Sequence, residues 1–142
     1  MPTSAPSKGR VLYIEDDAFF GGEISKKLTE AGYEAALAKD GDEGLSRLRR
    51  EKFDLVLLDI LLPRVDGYDV LRQMKEDRAM SALPVIVFSN LGSQEDRVKA
   101  EGLGAALFLV KALTNPSDVV HSIADILEGH PASPSHEASL PS

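Results

Sequence analysis

The stretch that most constrains this chain is Phe53–Gly67, FDLVLLDILLPRVDG. Leu55–Leu58 is an unbroken apolar run, Asp59 ends it, and Pro63 and Gly67 punctuate the segment beyond. A short continuous apolar run bounded by turn residues predicts a strand buried on both faces, as in a parallel sheet covered by helices. Ligand sites in such sheets lie beyond the carboxyl ends of the strands. Asp59 stands at that end. An Asp after a strand commonly caps the next helix. Here the next helical pattern begins near Asp66 or Gly67, too far on for Asp59 to cap it.

The flanking sequence repeats the alternation. Arg10–Ile14 (RVLYI) reads as a first strand running into Glu15, Asp16 and Asp17. Phe20, Ile24 and Leu28 recur at helical spacing until Gly32. Tyr33–Leu37 is a weaker, more polar strand, suited to a sheet edge. Asp40 and Glu43 have the form of a capping box before Leu45 and Leu48. After the central strand, a helix over 67–78 carries Leu71 and Met74 inward. Pro84–Phe88 (PVIVF) is a fourth strand ending in Ser89 and Asn90, with Pro at its tolerated first position. A mostly polar helix starts at Ser93, with Val98 as its clear apolar anchor. Ala105–Val110 is a fifth strand ending at Lys111, and Asn115–Pro116 opens a last helix.

Five strands alternating with five helices predict an α/β doubly wound parallel sheet. The order 2-1-3-4-5, flavodoxin-like, puts the polar second strand at an edge. One domain is expected over residues 10–128, with disordered segments over 1–9 and 129–142, the latter rich in Pro and Ser.

In that strand order the ends of strands one, three, four and five meet on one rim. They carry Glu15 and Asp16, Asp59, Ser89 and Asn90, and Lys111. Converging carboxylates need a cation or a raised pKa. Oxygen donors without His or Cys favour a hard ion such as Mg²⁺. Ser89 and Lys111 suit phosphate oxygens, and Asp59 between the two halves is placed as a carboxylate nucleophile. Taken singly, Asp17 could cap a helix, Ser89 occupy a turn and Lys111 end a strand in solvent. Four such coincidences with complementary charge are far less common than one.

Composition narrows the classes. A formal charge of −7 opposes general nucleic-acid binding, and the absence of cysteine excludes disulfides and thiolate metal sites. No apolar stretch is long enough to span a bilayer and no signal peptide is visible, so a cytoplasmic location is expected. The loop after the first strand offers carboxylates rather than G-x-G-x-x-G, which argues against a dinucleotide site.

VLYIEDD, DLVLLDILLPRVDG, PVIVFSN and FLVKA, in that order, resemble the receiver domain of a two-component response regulator, in the single-domain form of chemotaxis-type regulators. The resemblance spans roughly residues 9–127. It implies a phosphoacceptor at Asp59 and Mg²⁺ held by Asp16, Asp59 and the Leu61 backbone carbonyl, with Glu15 acting through a coordinated water. It implies Ser89 and Lys111 as phosphoryl-binding groups, and Phe108 at the aromatic switch position beside the Ser89 switch hydroxyl. The donor would be a sensor histidine kinase or a histidine phosphotransfer protein. The domain would assist its own phosphorylation and slow dephosphorylation without being an enzyme in the usual sense. The residues after Leu127 are too few for a DNA-binding segment, so output is expected through an unidentified partner, or a dimer, at the face of the fourth helix, fifth strand and fifth helix.

Four positions depart from the family. Ala112 replaces the usual cis-proline, and because a non-proline cis bond costs about 3 kcal/mol, a trans bond and an altered loop are expected. Phe108 lacks the hydroxyl of the commoner Tyr. Asn90 is larger than the usual small residue and narrows access. Leu61 and Leu91 are apolar where many relatives are polar, which predicts water exclusion and slow hydrolysis. The departures at Asn90, Phe108 and Ala112 leave open a phosphorylation-independent interaction module. A Mg²⁺-dependent phosphohydrolase is disfavoured, because its general acid is often an Asp two residues past the nucleophile, where this chain has Leu61.

Overall fold

A computed structural model describes residues 7–129. The disorder expected of residues 1–6 and 130–142 lies outside the described residues. The elements run β1 (Arg10–Ile14), α1 (Ala18–Glu30), β2 (Glu34–Ala38), α2 (Gly41–Arg50), β3 (Leu55–Leu58), α3 (Gly67–Glu76), β4 (Val85–Ser89), α4 (Gln94–Gly102), β5 (Leu107–Val110) and α5 (Pro116–Leu127). The sheet is parallel throughout, in the order β2-β1-β3-β4-β5.

Period-two alternation divides the sheet's side chains between two faces. Val11, Tyr13, Leu55, Leu57, Ile86, Phe88, Leu107 and Leu109 pack with Ile24 and Leu28 of α1 and Val119 and Ile123 of α5. Leu12, Ile14, Val56, Leu58 and Val85 pack with Leu45 and Leu48 of α2 and Val70, Leu71 and Met74 of α3. All four β3 side chains are fully buried, which is why its sequence shows no alternation. A smaller cluster of Ile60, Tyr68, Val87, Ala100, Phe108 and Val110 seats α4.

Caps set the helix entries. Asp17 accepts from Phe19 and Phe20, Asp66 from Asp69, Ser93 from Asp96, and Asn115 from Asp118. At α2, Asp40 accepts from the Glu43 N–H, but the Glu43 carboxylate reaches the N–H of Lys39 rather than that of Asp40. This widens the expected capping box by one residue.

Several expectations shift. Tyr33 belongs to the turn, its N–H bonded to the Leu28 carbonyl, so β2 starts one residue later than predicted. Pro84 cannot donate, but its carbonyl accepts the Val56 N–H, and β4 runs on to Ser89. Sheet pairing also reaches Lys8 and Gly9, which bond Gly32 and Glu34. The anchor of α4 is corrected: Val98 is 59% exposed, and Ala100 is the buried residue. The two lie about 200° apart around a helix, and only the small Ala side chain lets α4 approach the Phe108 cluster closely.

Two features of the frame are testable. A Cβ on Gly67 would collide with the Asp59 carbonyl oxygen and lie 2.5 Å from Ile60 Cα, both backbone atoms. Gly67→Ala should therefore lower stability by about 1–3 kcal/mol in denaturant titration. An unchanged midpoint would show that the Asp59–Ile60 backbone is free to move. At the other end of the sheet, Glu51 pairs with Arg47 at 2.8 Å and Arg10 at 2.7 Å, and Arg10 lies 4.5 Å over the Phe53 ring. The Arg47 hydrogen bond, then that of Arg10, holds the Glu51 carboxyl down at about 2 against an ordinary 4.5. A depressed folded pKa gives stabilisation that is complete above the ordinary value and lost as pH falls towards the folded one. Between about pH 4.5 and 2, Glu51→Gln should thus lose less stability than the unsubstituted protein. Equal losses would mean that this cluster does not contribute to acid sensitivity.

Candidate functional site

Four strand ends build the site. β1 delivers Glu15 and Asp16, β3 delivers Asp59, β4 ends at Ser89 and β5 runs into Lys111. Register fixes their order: Ile14 pairs with Leu58, directly before the acids on both strands, and Ser89 pairs with Val110, directly before Lys111. A cavity of about 560 Å³ is lined by Glu15, Asp16, Asp17, Asp59, Leu61, Asn90 and Lys111, with Phe19 and Phe20 from α1.

The central contact is ionic. Lys111 Nζ lies 2.5 Å from Glu15 Oε1 and 3.1 Å from Asp59 Oδ2, and all three side chains are buried. Burial alone would lower the Lys111 pKa, but the hydrogen bond to Glu15 and the charge of Asp59 outweigh it and hold the ammonium above its ordinary value. Burial, reinforced by Asp59, raises the Glu15 pKa, while hydrogen bonds from Lys111 and Tyr13 oppose the rise. Removing one partner from such a set leaves a buried charge uncompensated, which is strongly destabilising.

The acids also converge on a common point. Carboxylate oxygens of Glu15, Asp16 and Asp59 lie within 4.8 Å of one another, Asp16 exposed and the other two buried. An all-oxygen set with one solvent-facing member suits Mg²⁺, which keeps several waters in its shell. Asp59 Oδ1 accepts the Leu61 N–H at 3.1 Å, so both its oxygens are engaged. The Ser89 side chain is fully buried, and its Oγ accepts the Leu91 N–H at 3.3 Å.

The departures resolve differently. Among the described residues there is no cis peptide, and Lys111–Leu113 forms a short 3₁₀ turn, so the Lys111–Ala112 bond is trans as expected. Asn90 and the half-exposed Leu61 line the cavity. Leu91 instead packs against the cluster around Phe108. The Phe108 ring is buried, with the Arg97 guanidinium 5.5 Å above it.

Three aromatic residues of the site were missed by sequence reasoning. The Tyr13 hydroxyl donates to Glu15 Oε1 at 2.8 Å, and its ring lies 6.4 Å from that of Phe88. Phe88 meets Phe20 edge to face, and Lys111 Nζ lies 4.4 Å over the Phe20 ring. A signal was present: residues two apart on a strand share a face, so Tyr13 points the way Glu15 does.

Comparison with known proteins agrees with this fold. The profile of the response regulator receiver domain family matches residues 11–124. Over 102 residues, 72% of this chain, the sequence is 41% identical to the "Probable transcriptional regulatory protein SilR" of Salmonella typhimurium and 38% identical to the transcriptional regulatory protein CusR of Escherichia coli K12. Each match covers 44% of the relative, so the chain spans about half the length of the curated relatives it matches. The crystal structure of a CheY-like response regulator receiver domain protein from Methanospirillum hungatei superposes with a TM-score of 0.79 at 28% identity, covering 88% of this chain and 96% of that one. The fold, the order of the strand-end groups and these similarities together place the chain in the receiver domain family of two-component response regulators.

Proposed function

We propose that the domain, over residues 10–128, stores a phosphoryl group on Asp59 and signals through that modification. The observation that carries this reading is the buried Lys111 ammonium bridging Glu15 and Asp59 beside an acidic, oxygen-only cluster. The donor would be a phosphohistidine on a sensor histidine kinase or phosphotransfer protein. An Asp59 oxygen attacks phosphorus, the P–N bond breaks, and its electron pair leaves with the imidazole, which takes up a proton. The product is an aspartyl phosphate, and attack of water on phosphorus later restores the carboxylate. Mg²⁺ bound by Asp16, Asp59 and the Leu61 carbonyl, with Glu15 alongside, would neutralise charge on the phosphoryl oxygens.

The chain's own groups do the rest. Lys111 transfers a hydrogen bond from Asp59 Oδ2 to a phosphoryl oxygen and keeps Glu15 as its second partner. Ser89, one residue pair away across β4–β5, supplies a hydroxyl to the phosphoryl group, and Phe108 responds by ring packing alone because it has no hydroxyl. Output is read by a partner protein, or a second copy, at the face of α4, β5 and α5, where Val98 offers an exposed apolar side chain. No helix among the described residues is long and apolar enough to cross a membrane.

Incubation with Mg²⁺ and acetyl phosphate should add the mass of one phosphoryl group to the intact protein and none to Asp59→Asn, with chelator abolishing the reaction. An unmodified wild-type protein would support the phosphorylation-independent alternative, and immediate turnover of the donor would point to a hydrolase. Leu61→Asn should speed loss of the phosphoryl group several-fold, because Leu61 stands at the cavity mouth. Leu91→Glu should act mainly on stability, because Leu91 packs into the α4 cluster. An unchanged dephosphorylation rate in Leu61→Asn would refute the gatekeeping role.

A further inference from the structure

We infer that Tyr13 is a positioning residue for the divalent-ion site, fixing the Glu15 carboxylate through its buried hydroxyl. The inference rests on the proposed phosphoacceptor reading of the site. Tyr13 is fully buried in the middle of the sheet, among aliphatic neighbours on β1 and β3. A phenol there must find a partner for its hydroxyl, and it finds Glu15 Oε1 at 2.8 Å. The same oxygen takes the Lys111 ammonium at 2.5 Å, and Oε2 accepts the Asp17 N–H at 3.2 Å.

These three donors differ in what anchors them. The Asp17 N–H belongs to the loop that opens α1. Lys111 is a long side chain shared with Asp59. Only the Tyr13 hydroxyl sits on a rigid ring held from the side, by Phe88 at 6.4 Å, on a strand paired on both edges. It therefore holds the carboxylate still when Lys111 changes partner. It also supports the negative charge of Glu15 next to Asp59, where two carboxylates repel. Groups that orient metal-facing carboxylates in this way typically change metal affinity 10–100-fold when lost.

Tyr13→Phe removes the hydroxyl and keeps the ring. Calorimetric titration with MgCl₂ should show binding about tenfold weaker in Tyr13→Phe, with a melting temperature within a few degrees of wild type. In a Glu15→Gln background the same substitution should have no further effect on Mg²⁺ affinity, because the hydroxyl acts through that carboxylate. Equal affinities for wild type and Tyr13→Phe, or an undiminished effect in Glu15→Gln, would overturn the inference. Absence of Mg²⁺ binding to wild type would instead defeat the reading of the site itself. Should Tyr13→Phe fail to fold, carbon-13 NMR of tyrosine-labelled wild type decides. The Tyr13 Cζ resonance should move with the calorimetric midpoint while that of Tyr33, at the opposite end of the sheet, stays fixed. A stationary Tyr13 signal would overturn the inference.

Discussion

One buried ammonium governs this molecule. Lys111 follows directly on β5, the edge strand of the sheet, with its charge inside the protein, and the paired carboxylates of Glu15 and Asp59 make that position tolerable. Burial favours the neutral form of Glu15, and the hydrogen bond from Lys111 opposes it. The ion set draws the ends of β1, β3 and β5 together, although β5 and β1 are not neighbours in the sheet. A group held by two anions rather than one can exchange one of them for a phosphoryl oxygen without being left bare.

The architecture was largely legible in the sequence. An unbroken apolar β3, a polar β2 and five caps or turns at the expected places leave few alternatives to a doubly wound sheet. Strand boundaries slipped by a residue or two at Tyr33, Pro84 and Ala105, where a turn bond or a missing donor decides the edge. Val98 misled because a lone Val on a polar helix looks like an anchor. Periodicity cannot show that a helix packs through a small residue such as Ala100.

The charged members of the site were equally legible, because each lies within two residues of a strand's carboxyl end. The sequence could not show how they pair. Glu15 was expected to face the ion through water, yet in the structure it is also the principal partner of Lys111. The aromatic wall of Tyr13, Phe20 and Phe88 was hidden for a different reason: aromatic residues in apolar patterns read as core, and here they are core on one side and site on the other. The chain leaves the site through the 3₁₀ turn Lys111–Leu113, in a loop with Ala112 where the family usually has proline. On the far side, Tyr68 follows the close-packed Gly67 and donates to Asp96 at 2.9 Å, so the segment after Asp59 and the first turn of α4 share a hydrogen bond.

The central claim is that the Lys111 ammonium leaves Asp59 for the phosphoryl group while Glu15 stays with it. A crystal structure with Mg²⁺ and beryllofluoride, the stable mimic of an aspartyl phosphate, tests this most directly. The account predicts beryllium on an Asp59 oxygen, Lys111 Nζ in contact with fluoride and Glu15 Oε1, and the bond to Asp59 Oδ2 broken. Beryllofluoride on another residue, or a Lys111 still bonded to Asp59 and remote from fluoride, would contradict it.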